Sequence, residues 1–573
     1  MSRSRWNLLP QLPERHALKD TYAPLVAQLL FNRGLDQITK AESFFSTDKR
    51  LCGDPWLMPD IDKAVSRIQK AILRGEKIAI YGDFDVDGIS ATAVLAKGLE
   101  NLGGCVIPYI PHRLHEGHGL NISALAELSK HGATLVITVD CGITGIVQTQ
   151  ECHSSRMPPL DLIITDHHIP PDVLPSAIAI INPKLNGAHY PFKELAGVGV
   201  AYKVLQALYN GLGRENETEQ FLDLVALGTV ADMMPLTDEN RYFVKAGLEK
   251  LRTTARYGLL ELAALSSIKL ENMDTQDISF GLAPRLNAAG RLEHAISAYE
   301  LLVTDSYEKA CELAANMVAQ NSERQRLTSS ALSRAHEQVT SQDLTPLLFI
   351  RDDSGARGII GLVAGRLCEE YYHPAIVVQT GKDMCYGSCR SIPEFNITEA
   401  ISQCADLLTR FGGHAQAAGF AVSSENLSLF EARLHEIACK HLKGLDLRPQ
   451  IDIDAAVQLH EISREVFDQI HKLEPFGMGN PAPVLLSQSV NVIDFRNMGT
   501  GGIHLRLKLK HGDSIWDAVA FNMGERSSEV KGLLDIVYNL KLDEWNGGAK
   551  LRLNVIDFAP SEAVALNWYK ENN

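Results

Sequence analysis

Asp83, Asp85 and Asp87 alternate through the run Tyr81-Gly82-Asp83-Phe84-Asp85-Val86-Asp87-Gly88, directly after the apolar KIAI. Asp140 ends LVITVD just before Cys141-Gly142, and Asp166-His167-His168 ends LIITDHH. Asp232 stands in LVALGTVADMMPL, where an apolar segment meets a turn. Carboxylates mixed with imidazoles suit Mn²⁺ or Mg²⁺ better than a sulphur-rich set would. Several bridging-capable carboxylates in one crevice suit two ions about 3.5–4 Å apart, an arrangement built for phosphoryl chemistry. An EF-hand is excluded, because position 12 counted from Asp83 is Val94 where that loop needs a glutamate. A lone aspartate at an element's end is often only a helix cap, but four such ends in succession are not explained by capping. Ser90 reads as a helix-start residue and not as a nucleophile.

All four groups read as strand ends, Asp232 included. KIAIYGDFD (77–85), GGCVIPYIP (103–111), ATLVITVD (133–140), LDLIITDHH (160–168) and SAIAIINP (176–183) are short β-rich runs, most of them separated by helix-like stretches. Such alternation predicts a doubly wound parallel sheet, whose ligands collect at the carboxyl ends of the strands. Before it, Ile61, Val65, Ile68 and Ile72 recur at helical spacing. From Asp305 to about Gln342 the chain reads as one helix without Gly or Pro, suited to join two lobes. PLLFI (346–350), PAIVVQT (374–380) and the glycine-rich FGGHAQAAGFAV (411–422) mark a second α/β segment. Evenly spaced strand signals then run to about residue 560 and predict a small oligonucleotide-binding (OB)-like barrel. The expected parts are an N-terminal helical segment (1–60), a parallel-sheet domain (61–304), a connecting helix (305–344), a smaller α/β domain (345–446), the barrel (447–562) and a tail (563–573).

The 573 residues carry 55 basic and 70 acidic side chains, a net charge of −15, so any nucleic-acid surface must be local. No uncharged apolar run approaches the roughly 20 residues of a membrane span, and MSRSRWNLLPQLPERH lacks the core of a secretory signal. Ten cysteines without a CxxC fit free thiols in a reducing cytoplasm. A local basic strip does exist: His504, Arg506, Lys508 and Lys510 alternate with leucines in HLRLKLKHG. Phe521, Tyr538 and Trp545 serve equally well as stacking surfaces for bases or as barrel core. Gly412 and Gly413 in GGHAQAAG let a phosphate or sugar approach the backbone, with His414 as donor. Ser388 and Arg390 in GSCRS offer a hydroxyl and a guanidinium fork for a terminal phosphate.

DFDVDG, VDCG, TDHH and GTVADMMPL resemble the four motifs of the DHH phosphoesterase superfamily. Within it the chain is similar to the RecJ family of bacterial single-strand-specific exonucleases. That resemblance runs through FNRGLDQITKAESFF (31–45), PRLNAAGRL (284–292), NSERQR (321–326), GIIGLVAGRL (358–367), GSCRS (387–391), GGHAQAAG (412–419) and LEPFGMGNPAPV (473–484). It implies two divalent ions, Mn²⁺ or Mg²⁺, on Asp85, Asp87, Asp140, His167 and Asp232. It implies that Asp83 ligates or hydrogen-bonds nearby, that His168 supports the site or assists proton transfer, and that Arg113, Arg285 and Asn287 contact the 5′ phosphate and the scissile region. The second lobe is implied to be a substrate-binding DHHA1 domain. The implied activity is 5′ to 3′ hydrolysis of single-stranded DNA to mononucleotides in recombination and repair, with a single-strand-binding protein and a helicase as candidate partners. Other DHH phosphoesterases, acting on short oligonucleotides or cyclic dinucleotides, are typically shorter and lack the barrel. A degenerate DHH replication factor would have lost part of the acidic and histidine set, which is intact here. His112, His115 and His118 read as loop residues beside the substrate, because Pro111, Gly117 and Gly119 break a helix; the family commonly has asparagine at the first and an aromatic at the third. In RDDSGARGIIG (351–361) the family's usual Trp-His pair is missing, which bears on a local contact in the second lobe and not on the metal chemistry.

Overall fold

The apolar runs that lead into the acidic groups are strands of one parallel sheet in the computed structural model, which describes residues 4–46, 48–113, 115–152, 159–340, 345–543 and 550–561. These strands are β1 (Lys77–Gly82), β2 (Cys105–Tyr109), β3 (Ala133–Val139), β4 (Asp161–Thr165) and β5 (Ala179–Ile181), in the spatial order β2-β1-β3-β4-β5. The chain leaves β1 to one side for β2, then crosses back to place β3 on the other side. The crevice where strand order reverses therefore opens at the carboxyl ends of β1 and β3, directly before Asp83 and Asp140. Apart from the exposed Thr134, the side chains of β3 are buried, as expected for a parallel strand covered on both faces.

Helices α1 (Val86–Glu100), α2 (Gly197–Asn210) and α3 (Leu222–Ala231) pack into the core beside this sheet. The segment before Asp232 is thus a helix end and not a strand end. Nine consecutive residues of α3, Leu222 to Val230, are buried, so it shows no amphipathic period, and such a run cannot be told from a buried strand by pattern. Further along come α4 (Ala283–Leu292) and α5 (Tyr307–Thr340). Leu313, Ala314 and Met317 at one end of α5 join the first core, while Ala331, Ala335 and Val339 join a second.

That second core lies under a mixed sheet of β6 (Leu348–Asp352), β7 (Ala375–Gln379), β8 (Met384–Arg390), β9 (Leu408–His414) and β10 (Ala417–Ser423), ordered β9-β10-β8-β7-β6, together with helix α6 (Ile360–Tyr371). The glycine-rich stretch is accordingly a hairpin, with Gly412, Gly413 and His414 on the edge strand β9 paired to β10.

The chain divides into two compact units, Thr47–Leu447 and a second made from Met1–Ser46 with Arg448–Asn573. The N-terminal segment expected over 1–60 is therefore split. Its first part belongs with the barrel because Arg5–Leu8 pairs in parallel with Gln450–Ile453. Strands β11 (Leu485–Met498), β12 (His504–His511), β13 (Ser514–Ala520), β14 (Leu533–Asp543) and β15 (Lys550–Pro560) form the barrel, and β11–β14 pairing closes it. Tyr538 is barrel core, its hydroxyl 2.9 Å from Ser487 Oγ, whereas Phe521 is exposed beside His504. Trp545 and the tail from 563 lie outside the described residues.

Arg33 clasps this unit. Its guanidinium donates to Asn480 Oδ1 at 2.8 Å and to the Pro481 carbonyl at 2.7 Å, and pairs with Asp454 at 3.5 Å with both side chains nearly buried. Removing one partner of a buried pair strands the other charge, so Arg33→Ala should destabilise the unit by about 3 kcal/mol. Urea unfolding read by tryptophan fluorescence checks this, with Trp6 and Trp516 as reporters. An unshifted transition would mean the clasp adds no stability.

Candidate metal centre and strand-binding residues

Asp85 caps α1, its Oδ1 accepting from the amides of Asp87 at 3.0 Å and Gly88 at 3.1 Å. Asp87 accepts from the amides of Gly197 at 2.6 Å and Val198 at 2.8 Å, the first donors of α2. Two helix N-termini thus hold two carboxylates in place. Asp140 follows β3 in the left-handed region, φ 60, a conformation that costs a non-glycine residue on the order of 1 kcal/mol and re-aims its side chain. A Cβ on Gly197 would lie 2.6 Å from Asp140 Oδ1, so only glycine admits that carboxylate. Asp140 Oδ1 lies 3.1 Å from His167 Nε2, and His167 Nε2 lies 3.6 Å from Asp232 Oδ2 and 3.9 Å from Asp87 Oδ2. Three sets of ligand atoms gather within 4.8 Å: Asp83, Asp85 and Asp140; Asp87, His167 and Asp232; Asp140, His167 and His168. All seven expected residues meet, and Asp140 and His167 each belong to two sets.

Crowding governs their charge. Burial, then repulsion from Asp232 and Asp85, pushes Asp87 well above the usual carboxylate range. Burial and the other carboxylates do the same to Asp140, and Asp232 is pushed up to about 7 by burial and Asp85. Burial and the neighbouring His168 bring His167 down to about 3, so it is a neutral imidazole. His168 is raised to about 9 by its hydrogen bond to Asp166, whose Oδ1 lies 2.7 Å from Nδ1, and it stays cationic. Among the described residues, Asp83 Oδ1, Asp140 Oδ1 and His167 Nδ1 are buried without hydrogen-bond partners. Unpaired acceptors, mutual repulsion and a neutral imidazole are the donor set that divalent cations would satisfy.

Arginines approach the acidic cluster from both lobes. Arg113 lies 4.7 Å over the Phe84 ring and feels Asp83, Asp85 and Arg390. Arg390 ends β8, on the same face as Ser388. Helix α6 starts here without a side-chain cap, and a Cβ on Gly361 would lie 2.9 Å from Ser388 Oγ and 3.5 Å from Arg390 Nη2. Arg291 bridges the lobes, donating to the Gly358 carbonyl at 3.1 Å. Burial, then Arg113, Arg324 and Arg390, brings its guanidinium down to about 9. Arg324 in turn is lowered by burial and by Arg285 and Arg366. Sequence reasoning misses Arg291 and Arg324; their signal is an arginine without a carboxylate three or four residues away, inside a motif already noted. Arg285 donates to the Gly281 carbonyl, and the half-buried Asn287 lies between it and Arg291 on α4.

His414 is exposed at the end of β9. A Cβ on Gly412 would meet nothing within 4 Å, but one on Gly413 would lie 2.3 Å from the Ala417 carbonyl oxygen. Gly412 therefore leaves open floor, whereas Gly413 serves the hairpin's own packing. His118 reaches within 3.5 Å of Asp83 Oδ2, and His112 and His115 pack ring against ring at 4.3 Å.

In the barrel unit, Arg506, Lys508 and Lys510 point outward from β12 while Leu505, Leu507 and Leu509 are buried. The strip is less basic than its own strand implies. Lys508 is flanked across the sheet by Asp494 and Asp517, and Asp517 also lies 3.5 Å from Arg506. Only cross-strand register reveals those carboxylates.

The DHH family N-terminal domain matches residues 77–229, the DHHA1 domain 344–439 and the RecJ OB domain 453–557. The single-stranded-DNA-specific exonuclease RecJ of Bacillus subtilis (strain 168) is 39% identical over 98% of this chain and 71% of its own length. The Salmonella typhimurium protein of the same description is 31% identical over 94% of this chain and 96% of its own. Crystal structures of RecJ from Thermus thermophilus superpose with a TM-score of 0.84 in complex with Mn²⁺ (29% identity, 97% of this chain and 79% of that one) and 0.78 in complex with Mg²⁺ (28%, 97% and 78%).

The raised carboxyls set a pH signature. Their folded-state affinity for protons exceeds the unfolded one, so the cation-free protein loses stability as pH rises from about 4 through the raised folded values, that of Asp232 being about 7. A dication relieves that loss. The rise in Tm on adding millimolar Mn²⁺ to chelator-treated protein should be larger at about pH 8 than at about pH 5.5. Equal rises at both would show that these carboxylates do not hold the ion.

Proposed function

The chain belongs to the RecJ family of DHH phosphoesterases, and on that footing we propose that it is a single-stranded-DNA-specific exonuclease working from the 5′ end by two-metal hydrolysis. The observation that carries this is the acidic and histidine cluster, three sets of ligand atoms each within 4.8 Å, with the Arg113 guanidinium close enough to feel Asp83, Asp85 and Arg390.

Asp85, Asp87, Asp140, His167 and Asp232 would hold two divalent ions, Mn²⁺ or Mg²⁺, and Asp140 belongs to two of the three ligand sets. Such ions, when bound, supply an acidified water and neutralise charge developing at phosphorus. Asp83, in one set of ligand atoms with Asp85 and Asp140, would ligate or accept a hydrogen bond at that side of the cluster. Arg113, Ser388 and Arg390 grip the terminal phosphate by charge-assisted bonds and so fix which phosphodiester reaches the cluster. Arg285 and Asn287 steady the next stretch of backbone, and Gly412, Gly413 and His414 form the wall on the second lobe. Attack forms a new P–O bond and breaks the bond to the 3′ oxygen, to which the cationic His168 gives its proton. The remaining strand then carries a fresh 5′ phosphate, the group the arginine pocket recognises. Arg506, Lys508 and Lys510 add affinity for the trailing strand.

The parts named from sequence (1–60, 61–304, 305–344, 345–446, 447–562 and 563–573) remain the working division of labour, with the first sharing the barrel's unit. Work in recombination and repair beside a single-strand-binding protein and a helicase suits such an enzyme. Ten free cysteines support a reducing, cytoplasmic setting. Among the described residues no helix is long and apolar enough to cross a membrane.

Asp140→Ala should lower turnover of a 5′-phosphorylated single strand by at least about a thousandfold with the fold retained. Retention of more than about a tenth, roughly 1.4 kcal/mol in barrier, would remove Asp140 from the ligand set. Arg390→Ala should erase the preference for a 5′-phosphate over a 5′-hydroxyl strand while Mn²⁺ affinity, read by calorimetry, is unchanged. End-labelled strands blocked at either terminus test polarity: digestion that survives only a 5′ block would overturn it.

A further inference from the structure

The arginines of the second lobe fall into two groups. Arg334 pairs with Asp352, Arg351 with Glu431 and Arg433 with Asp406. Arg357 and Arg410 have no carboxylate partner among the described residues, and both lie against one ring. The Arg357 Cζ is 3.9 Å from the centroid of Tyr386 and the Arg410 Cζ 6.0 Å. Burial and the repulsion of Arg410 lower the affinity of Arg357 for its proton. Two cations against one aromatic ring, neither with a carboxylate partner among the described residues, form a site suited to an anionic ligand.

Register places that site. Across β8, β10 and β9, Tyr386 aligns with Ala421 and Arg410, Ser388 with Gly419 and Gly412, and Arg390 with Ala417 and His414. All three rows share one face, and the middle row has glycine at two of its three positions. A Cβ on Gly412 would meet nothing within 4 Å and one on Gly419 only the Gly387 carbonyl at 3.7 Å, so this floor is open. Consecutive rows are about 6.8 Å apart, two residues at 3.4 Å each. A phosphate gripped at Ser388 and Arg390 therefore has open floor beyond it and, one row further, a second pair of guanidiniums. That spacing is within reach of the outer phosphates of a triphosphate. A base would find the Arg357 side of the Tyr386 ring already covered.

We propose that Arg357 and Arg410, stacked on Tyr386, form a subsite for the additional phosphates of a 5′-triphosphorylated single strand, so that strands bearing the unprocessed end left by primer-independent synthesis are bound as substrates. This rests on the terminal-phosphate reading of Ser388 and Arg390. It assigns a role to Arg357, which lies in the segment where the chain departs from its family.

Single strands of one sequence with a 5′-triphosphate, 5′-monophosphate or 5′-hydroxyl end separate the possibilities. In chelator, where hydrolysis is arrested, anisotropy should show the triphosphate strand bound at least tenfold tighter than the monophosphate strand. The Arg357→Gln/Arg410→Gln double variant should lose that advantage while its affinity for the monophosphate strand changes less than twofold. Tyr386→Leu, which keeps both cations but removes their platform, should lose part of it. Equal affinity of the wild type for both phosphorylated ends, or an advantage that survives in the double variant, would overturn the subsite. Turnover of the monophosphate strand with Mn²⁺ is read separately, and its absence would count against the exonuclease reading and not against the binding difference.

Discussion

Four carboxylates, Asp85, Asp87, Asp140 and Asp232, are held close enough to raise one another's proton affinity, and the first lobe is organised around tolerating that repulsion. Left alone, they would move apart or take up protons. Moving apart is closed to Asp85 and Asp87, because backbone amides at two helix N-termini hold them, so the strain shows as raised proton affinity. Asp140 is fixed differently, by a left-handed backbone behind a strand end and by a glycine that leaves its carboxylate room. Stability is given up locally to keep an unpaired anionic site, and the large apolar core of the parallel sheet supplies the surplus.

The same crowding explains the two adjacent histidines. His167 faces the carboxylates yet stays neutral, since burial and the charge on its neighbour oppose protonation. His168 is cationic because Asp166 accepts from its ring and from the amides of His167, His168 and Ile143. Against the pull of burial, those bonds hold Asp166 below the usual carboxylate range. One motif thereby sets a neutral imidazole beside a cationic one, with the anion that separates their charge states.

Legibility in the sequence followed distance along the chain. Asp83, Asp140 and His167 could be placed because each directly follows a β-rich run, and a parallel sheet gathers such ends at its switch point. Asp232 joins the cluster from a helix end where a strand end was expected, since a helix buried all round has no period to distinguish it from a strand. What stayed hidden depended on partners far away in the chain. The carboxylates beside Lys508, the hairpin that separates the tasks of Gly412 and Gly413, and the pairing that carries residues 5–8 to the barrel unit are matters of register.

Charge distribution reconciles an acidic protein with a polyanionic substrate. Repulsion between the acidic cluster and a phosphodiester has to be offset close by, because at physiological salt a charge more than about 8 Å away is largely screened in water. Arg113 does this inside the lobe that bears the carboxylates, and Arg291 and Arg390 do it from the lobes' junction, with Arg390 opposing the charge on both Arg113 and Arg291. The two layers are complementary in sign but are not paired into salt bridges among the described residues. A salt-bridged arrangement would be more stable and inert. Keeping them apart leaves each layer short of a counter-charge, the arginines of an anion and the carboxylates of cations. A phosphate flanked by divalent ions satisfies both at once, so strand end and metals are expected to strengthen each other's binding.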